Sequence, residues 1–117
     1  MKKDLLTFAA LQIIAAANPD GFTVNAKTLE PIKTGFAVAV AETQNSFNNS
    51  GLKKVIKYTK AHTNINAVGG WYNRENKKYY FDATIICDTL EEAVALGRLN
   101  KQIAVFNLDK MQEIKIQ

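Results

Sequence analysis

The sequence predicts an α+β fold, a mostly antiparallel sheet with about three helices packed on it, in the order α-β-β-α-β-β-α-β with a further short strand at the end. Three observations lead there. Stretches with bulky apolar residues at every second place alternate with stretches whose apolar residues recur at i, i+3, i+4 and i+7. The strand-like stretches come in pairs between the helical ones, an order that suits antiparallel pairing with helices on the sheet. The chain has 117 residues, 47% of them hydrophobic, enough for one core and too few for two, so residues 1–117 are read as a single domain.

The first helical pattern covers residues 3–17. Lys2 and Lys3 followed by LLTFAALQIIAAAN have the outline of a secretory signal. Asp4 in the basic segment and Gln12 inside the apolar run disfavour that reading, and the run is too short and broken to span a membrane. A structural helix is expected, with Leu5, Phe8, Ala9, Gln12, Ile13 and Ala16 on one stripe and Leu6, Ala10 and Ile14 on a second. So wide an apolar surface also permits pairing with a second copy of the chain. Asn18-Pro19-Asp20-Gly21 is turn chemistry and ends the helix.

Phe22, Val24 and Ala26 alternate with Thr23 and Asn25, a short strand with one polar face. The stretch around which the chain is organised is GFAVAVAETQNSFNNSG, residues 35–51. Phe36, Val38 and Val40 alternate with Ala37, Ala39 and Ala41, so both faces of this strand are apolar. A central strand covered on both sides is expected, its alanine face open to close approach by a helix. With the strand before it, it forms an expected antiparallel hairpin closed by a longer loop. From Glu42 the chain turns polar, and the end of a central strand is where a site is sought.

After Ser50, expected as the N-cap, Leu52, Val55, Ile56 and Thr59 mark the buried side of a second helix. Lys53, Lys54, Lys57 and Lys60 occupy the rest, with no acidic residue at i±4. Residues 67–73 and 79–87, joined by Arg74-Glu75-Asn76-Lys77-Lys78, read as a hairpin. Tyr79, Phe81, Ala83, Ile85 and Cys87 form its dry face, and Tyr80, Asp82, Thr84 and Ile86 a mixed one. Gly69-Gly70 lacks the context of a phosphate loop and marks close packing or a bulge. Thr89-Leu90-Glu91-Glu92 is a capping box opening a third helix, closed at Asn100 by a left-handed residue. Residues 103–106 are a buried strand, and Ile114 and Ile116 begin a last short one.

Charge is concentrated in one segment. The first fifty residues hold four basic and four acidic side chains, whereas residues 51–78 hold seven basic ones against Glu75 alone. The single Cys87 excludes an intrachain disulfide and a Cys-rich zinc site, and the single His62 excludes an imidazole cluster. No cofactor motif stands out, so none is expected. One cysteine also suits a reducing compartment, and a cytoplasmic location follows as the expectation.

The runs GFTVNAKTLEPIKTGFAVAVAETQNSF, VGGWYN and YYFDATIICDTLEEAVALGRLNKQIAVFNL resemble small uncharacterised proteins carried by phages and conjugative elements of gut Bacteroides-like bacteria. The GFTV, ETQNSF, GGW and QIAVFNL pieces carry the resemblance, which spans most of the chain after the first helix. It implies an intracellular accessory domain encoded by a mobile element, of the sort also found inside large polyvalent phage proteins. It transfers no catalytic residues.

The expectation from these residues is a non-catalytic binding or accessory protein with a protein partner. Gln44, Asn45, Phe47 and Trp71 are its candidate contact residues, an aromatic anchor ringed by amides. The alternative is nucleic-acid binding by the basic, aromatic middle, with Lys53, Lys54, Lys57, Lys60, Arg74, Lys77 and Lys78 on phosphates and bases stacked on Trp71 and its neighbours. No RNA-recognition or KH pattern accompanies it. A second alternative, a cysteine-dependent enzyme, has only Cys87 as nucleophile and His62 as base, and Cys87 falls on the dry face where a thiol is inert packing.

Overall fold

In the computed structural model, which describes residues 2–117, the chain runs α1 (Lys2–Ala17), β1 (Phe22–Asn25), β2 (Phe36–Ala39), a single 3-10 turn (Ala41–Thr43) and β3 (Ser46–Phe47). It continues through α2 (Asn48–Ala61), β4 (Ala67–Asn73), β5 (Lys78–Cys87), α3 (Leu90–Leu99), β6 (Ala104–Asn107) and β7 (Gln112–Lys115). The α+β class and the three helices are as expected, with one strand more, the two-residue β3. The seven strands form one sheet in the order β1-β4-β5-β2-β6-β7, with β3 also on β5. Every strand pair in it is antiparallel. The radius of gyration is 13.2 Å.

Ten-residue β5 is the spine. One edge pairs with all of β4, from Ala67 opposite Thr84 to Asn73 opposite Lys78, in unbroken register. The other edge is shared: β2 covers Thr84 to Cys87 and β3 covers Phe81 and Tyr80. Between them the chain leaves the edge as the 3-10 turn, which would strand the backbone of Ala83. Val40 N donates to Ala83 O at 3.0 Å, and Ala83 N donates to Thr43 Oγ1 at 2.9 Å. Thr43 is fully buried. Its hydroxyl thus replaces the missing ladder bond, as a buried amide requires.

All three helices pack on one face. Leu11 and Ala15 of α1 and Leu52, Val55 and Ile56 of α2 share a core with Val24, Val68, Phe81 and Ala83. Ala93 of α3 packs on Val38, Cys87 and Val105 in a second cluster, and Ile85 bridges the two. The strand residues in both clusters have the same parity, so the dry face of the hairpin is the one expected.

Five expectations about placement are corrected. The strands 22–25 and 36–39 are not a hairpin: β1 pairs with β4, and β4 and β5 lie between it and β2. The reason is the connection, long enough to pass the hairpin that inserts between them. The second correction concerns β2, which is interior as expected, but the helices cover Phe36 and Val38 while Ala37 and Ala39, half-buried, face the other way. Among the described side chains of α1 the buried positions are Leu11 and Ala15, and Leu5, Leu6 and Ile13 stay exposed. From Leu5 onward only Thr7 and Gln12 are polar, too few markers for periodicity to choose a side. Lastly, α2 is capped from Phe47 without a side-chain bond rather than from Ser50, and Lys101 rather than Asn100 takes the left-handed conformation after α3. The Thr89–Glu92 capping box is formed.

Gly51 is where α2 meets β3. A Cβ there would fall onto the carbonyl carbon of Ser46, with the Ser46 oxygen at 2.9 Å, both backbone atoms that cannot rotate away. Gly51→Ala is therefore expected to cost about 3 kcal/mol and to lower the thermal midpoint by about 10 °C, read by circular dichroism melting. Thr43→Val, which keeps the shape and leaves Ala83 N without its acceptor, is expected to cost about 2 kcal/mol, read as a lower urea midpoint at unchanged slope.

Candidate binding face of the sheet

Since the helices take one face, the opposite parity of every strand is left for other work. Across β4, β5 and β3 that face carries a row of rings. Trp71 and Tyr80 stack at 5.2 Å and 17°, and Tyr80 meets the edge of Phe47 at 5.6 Å and 62°. They are cross-strand neighbours in register, Trp71 opposite Tyr80 and Phe47 opposite Tyr80. Lys78 Nζ lies 4.0 Å from the Phe47 centroid, and Asn76 Nδ2 donates to the Tyr80 hydroxyl at 2.7 Å. Trp71, at the outer end of the row, is 46% exposed.

Next to the row the face sinks into a trough of about 1050 Å³. Its floor is one line of register neighbours, Thr23 of β1, Gly69 of β4 and Asp82 of β5, with Thr84 beside them. Residue 69 must be small: a Cβ there would stand 3.0 Å from Asp82 Oδ1 and 3.4 Å from Thr84 Oγ1. Gly70, of the other parity, makes room instead for Phe22 and Tyr79 under the helices. The glycine pair is thus close packing on both faces, and the continuous register leaves no bulge.

Two walls rise from the sheet. One is the connection from β1 to β2, with Pro31, Ile32 and Lys33. It is held to β1 by Ile32 N donating to Thr23 O at 2.9 Å. The other is the β6–β7 hairpin, with Phe106, Met111 and Glu113. Leu108 N donates to Gly35 O at 2.9 Å and Gly35 N to Asp109 Oδ2 at 3.3 Å, which ties the two walls together.

Asp82 is the electrostatic centre of the trough. It is half-buried on an interior strand, and burial pushes its pKa up while the Thr84 hydroxyl, which donates to Oδ1, pulls it down. Desolvation is the larger of the two effects. Tyr79, on the helix side, has its phenol pushed up to about 12 by burial and donates to Asn18 O at 2.6 Å, anchoring the end of α1.

The candidate contact residues fall as follows. Phe47 and Trp71 come onto one face, joined through Tyr80. Gln44 and Asn45 are exposed in the turn leading into β3, where Asn45 holds a left-handed φ of 62°. Ser46 between them and Phe47 is buried with a hydroxyl that has no partner among the described residues. The basic residues divide. Lys53, Lys54, Lys57 and Lys60 are exposed on α2, on the helix side of the sheet, so they and the ring row lie on opposite faces. Lys53 Nζ sits 5.6 Å from the Phe8 centroid. Arg74, Lys77 and Lys78 cluster at the β4–β5 turn, where Arg74 pairs with Asp20 at 3.3 Å across two exposed side chains and only Lys78 touches the row.

Cys87 is buried, and burial first, then Glu92 and Asp88, push its thiol up, against the thiolate. His62 is exposed at the end of α2, stacked on Tyr58 at 3.9 Å with Nδ1 2.9 Å from Tyr58 O. Among the described residues no three His, Cys, Asp or Glu side chains converge as metal ligands, and no helix is long and apolar enough to cross a membrane.

Apart from Trp71, the trough residues lie outside the contact surface that the sequence leads one to expect. Asp82 and Thr84 did carry a signal, as polar side chains in the middle of an interior strand. Lys33 and Glu113 carried none, because the walls come from segments far apart in the chain. Comparison with protein-family models, with curated proteins and with solved structures finds no match for the chain.

An Asp with a raised folded-state pKa binds its proton more tightly folded than unfolded. Stability is then highest below the ordinary carboxylate value and falls as pH rises from there through the raised one. Asp82→Asn is expected to abolish this fall and to leave the protein more stable than the parent at pH 7, measured as urea midpoints across pH 3–8. Ser46→Ala, which removes a buried hydroxyl without a partner, is expected to raise stability by about 1 kcal/mol in the same assay.

Proposed function

We propose that the protein is a non-catalytic binding module that engages a protein partner through the open face of its sheet. One observation carries the reading: the helices all pack on one face, and the other presents the row Trp71, Tyr80 and Phe47 running into a mixed polar and apolar trough. Aromatic anchors beside a polar-floored cavity suit recognition of a polypeptide segment. The nucleic-acid alternative draws less support. It needs lysines and stackable rings in one groove, whereas the α2 lysines are across the sheet from Trp71, and Asp82, Asp109 and Glu113 in the trough repel phosphate. A cytoplasmic accessory role in a mobile element, implied by the resemblance of the ETQNSF and GGW segments, is part of the same proposal.

The test is selection from a random peptide display library on the immobilised protein, with oligonucleotides titrated in parallel against Trp71 fluorescence at low and near-physiological salt. Expected are peptides whose affinity drops at least tenfold with Trp71→Ala or Phe47→Ala and is unchanged when Lys53, Lys57 and Lys60 are replaced together by Glu. Recovery of no peptide, or salt-sensitive quenching by oligonucleotides that the triple lysine replacement abolishes, overturns the proposal.

A further inference from the structure

The trough has a chemistry of its own. Among its described lining residues are the carboxylates of Asp20, Asp82, Asp109 and Glu113 and one basic side chain, Lys33. Asp20 is engaged by Arg74 and Asp109 by the Gly35 amide, so Asp82 on the floor and Glu113 on the wall remain to meet a ligand. Half-buried Asp82 accepts a hydroxyl from Thr84 and has no cation among the neighbours that shift it. A carboxylate so placed gains most from a cation that arrives with the ligand. Trp71, with one ring face on Tyr80 and nearly half its surface open, offers the side chain best suited to a cation over its π face. Phe106 and Met111 supply apolar wall for an aliphatic stem. Because no three ligating side chains converge among the described residues, a chelated metal ion is a poor match and an organic cation a good one.

We propose that the trough receives an arginine or lysine side chain from an extended segment of the partner protein, its charged head at Asp82 and its stem along the apolar wall. This deepens the binding-module reading and rests on it. The source is a protein rather than a free amine because the trough opens onto the row of rings, which extends the surface for the residues flanking the cationic one. Charge complementarity excludes a phosphate-bearing ligand from the same floor.

The test uses the peptides recovered by display on the full chain. Each peptide whose binding depends on Trp71 is expected to contain an arginine or lysine whose replacement by glutamine weakens binding about tenfold or more. Asp82→Asn is expected to weaken the parent peptide by a similar factor, and to weaken the glutamine peptide no further, the signature of a direct pair. Glu113→Gln is expected to give a smaller loss. Bound peptide is expected to shift the backbone amide resonances of Thr23, Gly69 and Asp82.

Trp71-dependent peptides that tolerate both glutamine and Asp82→Asn would sink the cationic assignment while leaving the binding module standing. Agmatine or spermidine binding the same amides as tightly as the peptides would assign the trough to a small amine and overturn the protein source. Recovery of no peptide removes both readings together.

Discussion

The hydrogen-bonding demand of β5 governs the rest of the structure. Ten consecutive residues in the middle of a sheet present backbone groups on two edges, and each buried amide needs a partner. β4 answers one edge without a break. The other is answered in pieces, by β2, by the Thr43 hydroxyl and by β3. That patchwork explains the odd composition of residues 42–47. Thr43 is there to bond Ala83, Asn45 to turn through a left-handed conformation, and Ser46 to bring the chain back to the strand. Gly51 then lets α2 descend onto Ser46 without a clash.

Once β5 is placed, its two parities separate the protein's tasks. Tyr79, Phe81, Ala83, Ile85 and Cys87 serve the core, where hydrophobic residues of the three helices pack against the same face. Lys78, Tyr80, Asp82 and Thr84 serve the open face. The ring row and the trough are consecutive steps along the same strand, which places an aromatic surface and a desolvated carboxylate side by side. The two walls then enclose the carboxylate, joined to one another by the bonds of Gly35 to Leu108 and Asp109.

Much of the local structure is written in short-range patterns. The alternation in residues 79–87 identifies the dry face, the Thr89–Glu92 spacing identifies a helix start, and Asn18-Pro19-Asp20-Gly21 identifies a helix end. All depend on neighbours within one turn or one strand, where spacing and side-chain type suffice. The pattern fails where it carries no contrast. In α1 only Thr7 and Gln12 are polar from Leu5 onward, too little contrast to distinguish Leu11, fully buried, from Ile13, 71% exposed. In residues 42–47 a polar run suggests a surface, yet Thr43 and Ser46 are among the most buried polar residues in the molecule.

By itself the sequence determined the class of fold, the three helices, the β4–β5 hairpin with its dry and mixed faces, and the gathering of Phe47, Trp71 and basic charge near the middle of the chain. Tertiary structure alone decided the strand order, which separates β1 from β2 by inserting a hairpin between them. It also decided that the lysines of α2 and the ring of Trp71 stand on opposite faces, and that Thr23, Gly69, Asp82, Lys33 and Glu113 share one trough. The physical reason is range. Periodicity reports which way a side chain points relative to its own element, whereas the grouping of side chains from distant elements depends on which strand edges find each other, and backbone edges carry no residue-specific mark.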